Sequence, residues 1–97
     1  MVMDLQKAKD ILRLDNDYND DLVQALLESI PSYIETTTGL TRLQQYDEPL
    51  TDTVGGFLLM LWFNAEDTNS EQLTRTIDSL LKTLSYVKKR DDNAINQ

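Results

Sequence analysis

The chain contains neither cysteine nor histidine. That double absence removes disulfides, thiol nucleophiles, imidazole bases and the usual zinc ligands together. With three glycines and two prolines, the sequence also holds no phosphate-binding glycine loop and no nucleophile elbow. Paired carboxylates occur at Asp20/Asp21, Glu66/Asp67 and Asp91/Asp92, but each pair falls at an expected helix end or in the tail, where solvated acids belong. The residues therefore speak against an enzyme, and no catalytic, cofactor-binding or metal-ligating residue is assigned. A membrane span needs about 20 consecutive apolar residues, and no run approaches that length. Asp4 precedes any hydrophobic run, so no signal-peptide pattern is present and the chain is expected to be made and kept in the cytosol.

What is present is a stretch of unusual density. Phe57 to Phe63 are seven apolar residues in a row, preceded by Gly55 and Gly56 and closed by Glu66 and Asp67. A helix built on them is apolar all the way round and must be covered on several sides. A chain of 97 residues hides only about 60–70% of the surface its unfolded form exposes. Cover for that helix is therefore limited. The net charge of −8 is uneven: residues 1–49 carry ten acids against four bases, and residues 50–97 carry seven against five. Most of such a surface repels DNA.

The remaining chain reads as helices separated by polar turns. Asp4 caps a short first helix, about 4–13, in which Leu5, Ala8, Ile11 and Leu12 share a face. Asp15, Asp17 and Asn19 occupy the first, third and fifth positions of an EF-hand loop, but Asp20 stands at its glycine position and Leu26 at its glutamate position, so calcium binding is rejected. A second helix over 20–38 carries the stripe Leu22, Val23, Leu26, Leu27, Ile30, Tyr33 and Ile34 and stops at Gly39. Pro31 is expected to kink it, a break near 28–30 being the alternative. Leu40 to Glu48 has no helical period and is expected to be an ordered loop. The apolar helix follows over 49–67. A capping box at Thr68/Glu71 or Asn69/Gln72 then starts a fourth helix over 70–90, with Leu73, Ile77, Leu80, Leu81, Leu84 and Val87 on its inner face. Lys88, Lys89 and Arg90 end that helix, and 91–97 is expected to be a mobile tail.

The expected fold is thus all-α: a single-domain bundle of about four helices over 1–90, with a flexible end. Between residues 9 and 39 the order of elements is specific. Lys9-Asp10-Ile11-Leu12-Arg13-Leu14-Asp15 is followed by Asp20-Asp21 with Leu22-Val23, then Leu26-Leu27, Tyr33-Ile34-Glu35 and Thr38-Gly39. This resembles the head–tail connector, or head-completion adaptor, proteins of tailed bacteriophages. Their pattern runs from a Leu-Arg-aliphatic-Asp turn through an Asp-Asp helix start and a Tyr-Ile-Glu segment to a Thr-Gly stop, then a very apolar third helix. The chain departs from it in Pro31 and in the paired glycines.

The resemblance implies a cyclic homo-oligomer at the virion head–tail junction, seated between the portal protein and a tail-side adaptor or head-closure protein. It implies assembly in the bacterial host cytoplasm, a channel through which DNA passes non-specifically, no cofactor, no membrane and no catalysis. On that reading Gly55, Gly56, Phe57, Met60, Trp62 and Phe63 are candidates for the oligomer interface, their alternative place being the core. Lys88, Lys89 and Arg90 are candidates for docking a partner, their alternative being a solvated helix end. A different reading of the same charge and missing chemistry is a small acidic helical binding module, a regulator or inhibitor with no virion role.

Overall fold

A computed structural model describes residues 3–64 and 70–95. Five helices and no strand are found among them: α1 (Leu5–Leu12), α2 (Asp20–Thr38), α3 (Arg42–Tyr46), α4 (Leu50–Phe63) and α5 (Ser70–Ile95). The protein is a small all-α bundle. Its extents are 50 × 26 × 17 Å, with a radius of gyration of 14.2 Å against about 12.5 Å for a rounded domain of this length. The elongation follows α5, whose 26 residues rise roughly 39 Å.

Local chemistry sets the helix ends. Asp4 accepts from the Lys7 backbone N–H at 2.8 Å and caps α1. At its other end Arg13 takes a left-handed backbone, φ 59°, and Leu14 N–H reaches back to Lys9 O at 2.9 Å. That is a Schellman closure with arginine where glycine is usual. Gly39 closes α2 at φ 84°, donating to Glu35 O at 2.8 Å. Between these ends α2 runs as one helix through Pro31, as expected, and the alternative of a break near residues 28–30 does not occur.

The core consists of Ala8 and Leu12 from α1, Val23, Leu27, Ile30 and Ile34 from α2, Leu40 from the α2–α3 turn, Val54, Leu58 and Leu59 from α4, and Ile77 and Leu84 from α5. α4 lies among α1, α2 and α5, which also pack on one another through α2. Lys9 and Asp20 join α1 to α2 by a 2.9 Å ion pair in which the lysine is largely covered.

Three boundaries differ from those read in the sequence. The expected loop at 40–48 contains α3, started by a full capping box in which Thr41 and Gln44 bond each other's backbone. α4 ends at Phe63, because Asn64 leaves helical dihedrals while its N–H still reaches Met60 O at 2.9 Å. The expected extension to Asp67 and the capping positions Thr68 and Asn69 lie outside the described residues. α5 continues to Ile95, five residues past the expected end at Arg90. Lys88 and Asp92, one turn apart, form a 3.1 Å pair that carries the helix into the segment expected to be loose.

A single polar side chain organises α3. Gln45 is buried, and its amide donates to Pro31 O of α2 and to Leu40 O, each at 3.0 Å. The Thr51 hydroxyl lies 3.0 Å from Gln45 O and 2.7 Å from Glu48 O, tying α4 to the same point. Each buried bond contributes about 1 kcal/mol net, and stranding its partners costs more. Gln45→Ala is therefore expected to lower unfolding stability by about 2–4 kcal/mol. Urea denaturation would show it as a lower midpoint with an unchanged slope.

Candidate functional site

The candidate site is the C-terminal half of α4 and what surrounds it. Along that helix Thr51, Val54, Gly55, Gly56, Leu58 and Leu59 are buried. Phe57, Met60, Leu61, Trp62 and Phe63 are only partly covered. The first half of the helix is thus the post of the core, and the second half is shared between core and surface.

The candidate interface residues separate accordingly. Gly55 and Gly56 are buried inside the chain, and a Cβ added at Gly56 would meet Ile11 Cδ1 of α1 at 3.5 Å, an ordinary contact. The close approach at Gly56 is therefore to α1 of the same chain. Trp62 meets the ring of Tyr33 on α2 edge-on, centroids 5.4 Å apart and planes at 84°. Phe57 and Met60 face a cleft together with Leu61. Phe63 is partly buried against the core.

That cleft, about 510 Å³, lies between α1, α4 and the start of α5. Ile11, Phe57, Met60, Leu61 and Leu73 give it apolar walls. Arg13, Asn64, Ser70, Gln72 and Thr76 add polar groups, and among the described lining residues the guanidinium is the lone charge. The volume falls within the ~300–1,000 Å³ of small-molecule and side-chain pockets. No set of three or more carboxylates positioned for a metal occurs among the described residues. Nor is any helix among them long and apolar enough to cross a membrane.

The three bases at the end of α5 are each engaged within the chain. Lys88 Nζ sits 3.1 Å from Asp92 and 3.2 Å from Gln44 Oε1, and its alkyl stem passes Gly39, where an added Cβ would stand 3.5 Å from Cγ. Lys89 stands 5.9 Å over the Tyr86 ring. Arg90 pairs with Asp91 at 3.4 Å. Lys88 thereby fastens α3 to α5. Sequence reasoning treated the three as one patch, whereas the fold turns them in different directions of use.

What the sequence reading did not single out is the role of Arg13, the exposed pair Leu43 and Tyr46 on α3, and Gln45. Leu43 is 74% exposed and Tyr46 65%. A signal for α3 was available in the Thr41/Gln44 capping box, but its buried residue is polar and its leucine faces out, which inverts the usual pattern.

Compared with protein-family models, with characterised proteins and with solved structures, the chain gives no significant match.

Two measurements follow from this geometry. Gly56→Ala removes a helix-interior glycine and adds only one ordinary contact, so a rise in stability of about 0.5–1 kcal/mol is expected in urea titrations. A double-mutant cycle over Tyr33→Leu and Trp62→Leu is expected to give a coupling of about 0.5–1.5 kcal/mol, the range for an edge-on aromatic pair.

Proposed function

We propose that this protein is a ring-forming structural adaptor of a tailed bacteriophage, placed between the portal and the tail-side proteins at the virion head–tail junction. The observation that carries the reading is the half-covered apolar row of α4, Phe57, Met60, Leu61, Trp62 and Phe63. An elongated bundle of this size leaves that row accessible, and copies of the same chain can cover it. A heterologous contact repeated around an axis closes into a ring. The ordered motifs from Lys9 to Gly39 support the same assignment through their resemblance to connector proteins.

Electrostatics are compatible with passage of DNA rather than its capture. The chain carries a net −8, and Lys9, Arg42, Arg75, Lys88 and Arg90 are paired with acids of the same chain. Few bases remain to hold phosphates, so DNA slides past such a surface with little adhesion. The adaptor does no chemistry in this reading; it extends the channel and helps keep the packaged genome in the head.

The alternative, a small acidic regulator or inhibitor without a virion role, draws on the same charge. Deleting the gene from its phage separates the two. The adaptor reading expects full heads that leak DNA or fail to accept tails, visible by electron microscopy and by nuclease sensitivity of the packaged genome. Normal tailed, DNA-retaining particles would sink it.

A further inference from the structure

Two features of the surface have no partner among the described residues and lie far apart. One is the cleft walled by Phe57, Met60 and Leu73, with Arg13 at its edge. The other is α3, which presents Leu43 and Tyr46, 74% and 65% exposed, followed directly by the exposed Asp47. We infer that α3 of one copy inserts Leu43 and Tyr46 into the cleft of a second copy, with Asp47 meeting Arg13, and that this is the repeating contact of the assembly. The inference deepens the adaptor reading and rests on it.

Position makes the contact intermolecular. α3 is tied to α5 at Lys88 and Asp92, whereas the cleft meets α5 at Ser70, Gln72, Leu73 and Thr76. Twelve residues of helix between Thr76 and Lys88 amount to roughly 18 Å of axial rise. A chain cannot fold its own α3 into its own cleft, because the Gln44–Lys88–Asp92 bonds and the buried Gln45 hold α3 at the other end. Two different surfaces at opposite ends of one molecule make a head-to-tail interface, which generates a ring or an open chain of copies.

Chemistry matches as well. The cleft's apolar walls suit a leucine and a tyrosine ring, and 510 Å³ accommodates both. Among the described residues neither Arg13 nor Asp47 has an ion pair within the chain. Opposite charges at the rim of an apolar contact fix its register and partner more than its strength. Arg13 also holds a left-handed backbone at φ 59°, a conformation that glycine adopts more readily. Its presence there is unfavourable for folding and useful for presenting the guanidinium beside the cleft.

The absence of cysteine makes disulfide trapping a clean test, since a bridge forms only where Cα atoms come within about 7 Å. In the full chain, Leu43→Cys combined with Thr76→Cys is expected to give a ladder of covalent dimers, trimers and higher species under mild oxidation. Leu22→Cys combined with Thr76→Cys, an exposed apolar position away from α3, is expected to give none. Within the first background, Arg13→Glu or Asp47→Lys alone should reduce the ladder severalfold, and the two together should restore it.

Arg13→Gly supplies the readout that a structural role alone would not produce: its urea midpoint should rise while its ladder weakens. Absence of a ladder, no rescue by the double charge reversal, or trapping of Thr76→Cys only to a portal or tail-side protein would each overturn the contact. Failure here with leaking heads in the gene deletion leaves the adaptor reading standing. A ladder together with normal deletion particles overturns the adaptor reading and keeps the contact.

Discussion

The whole fold depends on covering α4. A helix that is apolar around its full circumference has no face it can offer to water, so every other element is placed by its need for cover. α1 packs on it with Ile11 beside Gly56, α2 supplies Val23, Leu27, Ile30 and Ile34, and α5 adds Ile77 and Leu84. This works for the first half of α4 and for Leu58 and Leu59 just beyond it, which are fully enclosed. It falls short at Phe57 and from Met60 onward, because α1 is only eight residues long and is capped by Arg13, which lines the same cleft as Phe57 and Met60. The shortage is physical: a small domain has too much surface for its volume to bury a helix of this kind completely.

Polar groups then decide where the covering elements stop and turn. Gln45 is the clearest case, a buried amide that holds the α2–α3 turn, the Pro31 carbonyl and the start of α4 at one point. An apolar residue there could fill the space but could not satisfy those carbonyls, which in a buried setting is costly. With Gln45 pointing in, α3 must turn Leu43 and Tyr46 outward. The exposed apolar pair is thus a consequence of the same interaction that fixes the helix. Lys88 plays a related part at the far end, laying its stem over Gly39 and its ammonium between Gln44 and Asp92. A residue that looked like part of a basic patch serves as a strut.

The proposed reading is one of assembly, and it rests on surface features. The described residues hold no carboxylate cluster suited to a metal, and their bases are largely committed to neighbouring acids. Beside Tyr18, Leu22 and Tyr86, the apolar surfaces left uncovered include the partly covered row on α4 and the outward pair on α3. They lie at opposite ends of α5, and an element of that length keeps them apart in any single copy. The proposed head-to-tail contact would cover both at once.

Much of the fold was legible in the sequence, for identifiable reasons. The stripes of α1, α2 and α5 keep helical phase, Asp4 and Gly39 mark ends by cap chemistry, and seven apolar residues in a row announce a buried helix. Local signals of that kind are carried by neighbouring residues, so the chain states them unaided. Less legible were α3 and the continuation of α5 to Ile95, because each is held by contacts across more than 40 positions, Gln44 to Lys88 and Gln44 to Asp92. The sequence alone determined that α4 needs cover and that the chain has neither cysteine nor histidine to offer. Only the tertiary structure decided which part of α4 stays half-covered, that Gly56 faces α1, and that Arg13 edges an open cleft, since these follow from which helices reach α4 and where they end.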